Sequence, residues 1–326
     1  MKQPEKRWKQ GILIGILVLG MVMVLALGGC SLFRHPDNEK KSVSELGRTA
    51  APVAVPAGLE KIVFEEPYPP ELPRPAGVPG GTYNVELQGL PRVAIIIDDM
   101  GYHREVGKKL LALDLNLTFS FLPNAPHTPE LEQEAYERGR DILLHQPLEA
   151  ADPSWDIGPG GLYLSTPLED VAPIVERNLD RVPYAIGINN HMGSKYTVDR
   201  PHMQALLAVV KKRDLFFVDS FTTAASVGFL EAARMGIDTA RRHLFLDNIH
   251  NHGKICEKLD KLITRAQEYG FAIAIGHPNQ ETLTALTACR ENLLRNARIV
   301  GVHELVGRLQ ISDMIPMVES EHTESK

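Results

Sequence analysis

The stretch "RVAIIIDDMGYH", Arg92–His103, decides the reading of the fold. Apolar residues from Val93 to Ile97 run without a break into two adjacent carboxylates, Asp98 and Asp99, with Gly101 just beyond. An unbroken apolar run of this length reads as a strand buried on both faces, the habit of a parallel sheet. Two like charges at its end add nothing to a core, so the doublet points to a site.

The pattern repeats downstream. Apolar runs in "LTFSFLP", "DILLHQPL", "AIGINNHMG", "LFFVDS", "HLFLD", "FAIAIGHP" and "ARIVGVHEL" alternate with helical patterns such as "REVGKKLLAL", "PHMQALLAVVKKR" and "ETLTALTACRENL". Such alternation implies an α/β parallel sheet, open or closed into a barrel. About seven or eight units in about 220 residues favour a (β/α) barrel of about seven parallel strands in one catalytic-type domain. "TPELEQ" and "TPLEDV" read as helix starts, with Thr128 or Thr166 as N-cap and Pro129 or Pro167 at the first helical position.

In a parallel barrel, ligand-binding groups come from the C-terminal ends of the strands. Here Asp98 and Asp99 follow "VAIII", His145 follows "DILL", His191 follows "AIGINN", Asp219 follows "LFFV", Asp247 follows "HLFL" and His277 follows "AIAIG". Taken alone, Asp99 or Asp219 is equally a cap of the next helix, and His145 or His277 equally a hydrogen-bonded structural histidine. Recurrence at one structural position favours a shared mouth. The other histidines, His103, His127, His202, His243, His250, His252 and His303, read as surface or helix-end residues.

Adjacent carboxylates need a compensating cation or donors. Asp99, His145 and His191 together form an open oxygen and nitrogen ligand set suited to Zn²⁺ or another divalent metal, leaving Asp98 as a base toward water.

At this point the residues resemble a known family, the divergent polysaccharide deacetylases, a remote branch of the carbohydrate esterases with the NodB-homology fold. The resemblance spans roughly Arg92 to Leu309 and rests on "AIIIDDMG", "LLHQPLE", "INNHMGSK", "FFVDS" and "IAIGHP". It implies a distorted (β/α) barrel, a divalent metal, and hydrolysis of N-acetyl groups on an acetylated glycan. It makes Asp98 the base and Asp99 a ligand, makes His277 the proton donor to the leaving amine, and places Asp219 where an acid orients the machinery. The family's second motif carries two metal histidines, whereas "HQPLE" has His145 and then Glu149. Either Glu149 or His191 then completes the metal site, and we take His191 because a glycine turn follows it. Backbone amides near Gly193 and Ser194 are candidate oxyanion donors. Glu149, Ser194, Trp155 and Asp247 are candidates to touch substrate or stand behind the ligands. For Trp155, in "DPSWDIGPGGLY", a sugar platform and an ordinary surface excursion both stand.

The chain has 326 residues, of which 44% are hydrophobic, enough for a large core. "MKQPEKRWKQ" and the uncharged run to Gly29 read as a signal peptide over 1–29, ending in the lipobox-like "LGGC" with Cys30 as lipid-bearing residue. The run is also nearly long enough for an uncleaved membrane anchor, and both readings place the rest outside the cytoplasm, on the periplasmic side of a bacterial envelope. Residues 30–90 read as a proline-rich tether, 91–311 as the domain and 312–326 as a charged tail. Removing 1–29 moves the formal net charge from −6 to −9, because four basic groups leave with one acid. So acidic a chain is not expected to bind nucleic acid. Cys256 and Cys289 read as buried free thiols, with a disulfide as the alternative. Three readings of function follow: a metal-dependent deacetylase, a glycan- or partner-binding protein whose remodelled metal site no longer turns over, and a hydrolase of another class that uses the same metal water on an ester or a glycosidic substituent.

Overall fold

Val93–Ile97 form the middle of strand β1 (Arg92–Met100), in which every residue after Arg92 is buried. The computed structural model describes residues 89–307. The signal, Cys30, nearly all of the tether and the 312–326 tail lie outside the described residues. β1 sits between β2 (Thr118–Phe121) and β8 (Phe271–Gly276). Across the sheet the order is β6-β5-β4-β3-β2-β1-β8-β7, built from β3 (Ile142–Leu148), β4 (Gly187–Met192), β5 (Phe216–Asp219), β6 (Thr239–Arg241) and β7 (Leu244–Phe245). A short β9 (Arg298–Ile299) also pairs with the start of β1, and every ladder between these strands is parallel. The sheet curls into a distorted barrel of eight strands along this path, as the alternation predicts.

The curl separates two layers of side chains, and strand parity decides which layer each residue joins. Val93, Ile95 and Ile97 face outward with Ile142, Leu144, Ile188, Phe217, Ala272 and Ala274, packed against the helices. Ala94, Ile96, Leu143, Phe216, Val218, Ile273 and Ile275 face inward. Val300, Val302 and Leu305 join that inner cluster from the C-terminal segment. Val302 N–H donates to Thr118 Oγ1 at the start of β2, so this segment closes the lower end of the barrel. The outer layer is made by α1 (Arg104–Leu111), α2 (Thr128–Glu137), α3 (Leu168–Leu179), α4 (Arg200–Lys212), α5 (Gly228–Arg234), α6 (His252–Tyr269), α7 (Gln280–Ala288) and α8 (Arg290–Asn296). Among the described residues no helix is long and apolar enough to cross a membrane.

Several expectations are corrected. Neither threonine caps its helix: Thr128 Oγ1 donates to the Leu122 carbonyl, and Thr166 Oγ1 accepts from Tyr163 N–H. β6 is a strand that "TAR" is too short to announce, and "ETLTALTACRENL" breaks into two helices at Cys289. Cys256 and Cys289 are disulfide-bonded, because packing of α6 against the α7–α8 junction brings their Cα atoms to 6.2 Å across 33 residues of sequence. His243 is only partly exposed, lying between β6 and β7 with its Nδ1 accepting from Ile273 N–H of β8. Burial, with Arg265, Arg241 and Arg242 nearby, pushes it down to about 3 and keeps it neutral.

Candidate metal centre and active site

Two neighbours on a regular strand point to opposite faces, so Asp98 and Asp99 reach one mouth only because the backbone leaves regular strand geometry at Asp99. Asp98 continues the inward parity of Ala94 and Ile96. Asp99 adopts a left-handed φ of 54°, where the β1–β2 register slips between Ile97 and Met100. Aspartate tolerates this conformation better than most residues. Gly101 (φ 120°) completes the turn, and a Cβ there would collide with Thr128 Oγ1 and Ala125.

The inward positions of the neighbouring strands supply the rest. His145 follows Leu143 in parity on β3, and His191 follows Asn189 on β4, whose outward neighbour is Ile188. Asp99 Oδ1 lies 3.2 Å from His145 Nε2 and 2.9 Å from His191 Nδ1. It is buried and yet has no aligned hydrogen bond to either. A buried acceptor left this way is costly. The three ligand atoms lie within 4.8 Å of one another, so the cluster fits a small cation with one oxygen and two nitrogen donors. His191 is the most exposed of the three and marks the side open to solvent.

Asp98 lies beside this cluster, with Oδ2 3.6 Å from His145 Nε2 and Oδ1 accepting 2.8 Å from Asn189 Nδ2. Burial pushes its carboxyl up, against the opposing pull of His145, His277 and the Asn189 bond. Burial also acts to raise Asp99, but the adjacent His191, with His145 and His277, outweighs it and holds Asp99 well below the usual carboxylate range. His277, at the end of β8, keeps the inward parity of Ile273 and Ile275. Burial would lower it, yet Asp247, whose Oδ1 sits 3.0 Å from its Nδ1, prevails and raises it to about 9, helped by Asp99 and Asp98. His277 is therefore cationic at neutral pH.

Asp247 is fully buried, and its Oδ2 accepts from His277 N–H, Asn279 Nδ2 and Thr282 Oγ1. It holds the imidazole in place, the task the sequence assigned to Asp219. Asp219 shares the outward parity of Phe217 and turns away from the mouth toward the helix layer. Its Oδ1 accepts from Phe221 N–H, and its Oδ2 accepts from Ser226 Oγ and Phe229 N–H, which fastens the loop into α5.

Glu149 lies outside the cluster. Its Oε1 accepts from Lys195 Nζ at 2.7 Å and its Oε2 from Leu164 N–H at 2.6 Å, so both oxygens are engaged and His191 stands in its place. Ser194 Oγ accepts from Ala151 N–H and ties the turn after β4 to the loop after β3. Gly193 (φ 97°) makes that turn, and a Cβ on it would press on Leu148 and Thr197. Trp155 sits half-buried on the β3–α3 loop, its backbone N–H on the Asp152 carbonyl. The residue that sequence reasoning missed is Asn189, buried at the centre of the site and bonded to Asp98, His145, Ser120 and Ser220. Its signal was its parity with His191, two residues on.

Comparison with known proteins agrees with this fold. An uncharacterized protein of Haemophilus influenzae is 36% identical over 214 residues, covering 66% of this chain and 76% of that protein. The uncharacterized YibQ of Escherichia coli is 30% identical over 225 residues, covering 69% of this chain and 70% of its own. The crystal structure of the uncharacterized ATU2773 from Agrobacterium tumefaciens superposes with a TM-score of 0.64 at 26% identity, over 67% of this chain and 89% of that one. The family model for divergent polysaccharide deacetylases matches residues 95–306, from the doublet strand to the closing segment. The chain belongs to the divergent polysaccharide deacetylase family.

Proposed function

We propose that this protein is a metal-dependent amide hydrolase, with Zn²⁺ held by Asp99, His145 and His191, that removes N-acetyl groups from an acetylated cell-envelope glycan. The observation that carries the reading is the buried Asp99 Oδ1 facing two histidine nitrogens with no aligned hydrogen bond to either. A divalent metal bound there would polarise the amide carbonyl and make a neighbouring water more acidic.

The chain's own residues supply the proton traffic. Asp98, raised by burial and steadied by Asn189, takes the proton from the attacking water. His277, cationic and aligned by Asp247, gives its proton to the departing amine. Both are shifted upward, yet a raised carboxylate is the stronger base and a raised imidazole keeps the proton it must donate, so the two divide the proton traffic. The family supports a glycan as the substrate class. The disulfide between Cys256 and Cys289 supports an oxidising compartment, consistent with the signal over 1–29, membrane attachment through Cys30 or an uncleaved anchor, and a periplasmic location.

Elemental analysis and acetate release from N-acetylglucosamine oligomers test the reading together. The wild-type protein is expected to carry one divalent metal that Asp99→Ala and His191→Ala lose. Asp98→Asn should keep the metal and release acetate about 10²–10⁴-fold more slowly. Metal-free wild-type protein after zinc reconstitution would overturn the reading. Metal uptake with acetate release indifferent to Asp98→Asn would overturn the role of Asp98, and metal uptake with no release from any acetylated glycan would favour a binding protein.

A further inference from the structure

We propose that Asn189 is a positioning residue that sets the orientation of the metal ligand His145 and the base Asp98 at once; this rests on the metal reading above. Asn189 is fully buried on the inward face of β4 and sits directly across the ladder from His145. Each of its polar positions is taken. Nδ2 donates to Asp98 Oδ1 at 2.8 Å and to Ser220 Oγ at 3.2 Å. Oδ1 faces Ser120 Oγ at 2.5 Å and His145 Nδ1 at 2.9 Å.

The amide's orientation follows from its charged neighbour. Turned the other way, its oxygen would face the Asp98 carboxylate, acceptor against acceptor. With the nitrogen toward Asp98, the oxygen toward His145 accepts only, so His145 Nδ1 must carry the hydrogen. In the neutral ring the lone pair then lies on Nε2, the atom that faces Asp99 Oδ1 at 3.2 Å. A single amide thereby presents the ligating nitrogen toward Asp99 and fixes the neighbouring carboxylate. Ser220, whose N–H donates to Asn190 Oδ1, holds the amide from behind.

Aspartate at this position separates the two tasks, since it still accepts from His145 and Ser120 but sets a second carboxyl against Asp98 in place of the amide donor. In ¹⁵N NMR of the zinc-loaded wild-type protein, His145 should be protonated at Nδ1 and ligated through Nε2. Competition with a chromophoric chelator should show Asn189→Ala binding zinc about 10–100-fold more weakly. Asn189→Asp should bind zinc within about threefold of wild type, yet release acetate about 100-fold more slowly at an unchanged KM. Thermal melts of the variants establish that they fold, and the wild-type spectrum and Asn189→Asp decide the matter if Asn189→Ala does not. Zinc-loaded His145 protonated at Nε2, or Asn189→Ala with wild-type zinc affinity, overturns the ligand half. Asn189→Asp with wild-type turnover overturns the Asp98 half. A wild-type protein that takes up no zinc overturns the metal reading and this assignment with it, whereas failure of the variants alone leaves the metal reading standing.

Discussion

Asp219 and Asp247 look alike in sequence, each closing an apolar run, "LFFVD" and "HLFLD", and both are fully buried. Their surroundings give them different tasks. Asp219 stands on the outward face with Phe217 and binds three donors of its own loop and the start of α5. Asp247 accepts three donors from the end of β8 and the start of α7 on one oxygen and keeps the other for His277 Nδ1. A strand-end acid joins the chemistry when its parity points inward and an imidazole reaches its free oxygen. Otherwise it is a staple.

Exchanging each carboxylate for its amide breaks or sharpens the contrast. Asp247→Asn removes the negative charge that lifts His277 and leaves an acceptor for Nδ1 only if the amide turns its oxygen that way. Acetate release is expected to fall about 10²-fold. The sign of the pH effect follows from His277 working as an acid: activity is lost as pH rises through its pKa. The wild-type basic limb should move to lower pH in Asp247→Asn, as the full pH–rate profile will show. An unmoved limb would remove Asp247 from its orienting role.

Asp219→Asn should behave in the opposite way. An amide has one acceptor oxygen, so its NH₂ must confront one of the donors now served by Asp219, Phe221 N–H on one side or Ser226 Oγ and Phe229 N–H on the other. Denaturant unfolding should report a loss of about 2–3 kcal/mol, while metal content and turnover of the folded fraction stay within about twofold of wild type. A large drop in turnover with unchanged stability would return Asp219 to the catalytic set.

The same parity explains what was legible in sequence. Once β1 is placed, Ala94 and Ile96 put Asp98 inward, and counting by twos puts His145, His191 and His277 on inward faces as well. Phe216 and Val218 face inward, which already sends Asp219 outward; type and position at the strand end suggested a site residue, but the phase did not. Asp99 is the reverse case. Strict alternation would send it to the helix side, and only the left-handed backbone with the register slip before Met100 brings it back. The disulfide and the three-residue β6 were beyond local patterns, since each depends on partners far along the chain.

Glu132 supplies a third buried acid and the smallest effect. It lies on α2, is 2% exposed, and its Oε1 accepts 2.8 Å from Tyr184 N–H. Asp219 and Asp247 each gather several donors, whereas here burial outweighs the Tyr184 bond and pushes the carboxyl up to about 7. The folded protein then retains a proton that the unfolded chain, at 4.5, has already lost. Stability must fall as pH rises between those two values and stay lowered above them, the reverse of a salt-bridged carboxylate. Glu132→Gln keeps an acceptor for Tyr184 N–H without the charge. It should match wild type near pH 4 and exceed it by about 1–3 kcal/mol at pH 8, measured by denaturant unfolding across that range. A difference that does not change with pH would mean that Glu132 is ionised in the folded protein, and that one donor with burial is as good a setting for a carboxylate as the full donor sets around Asp219 and Asp247.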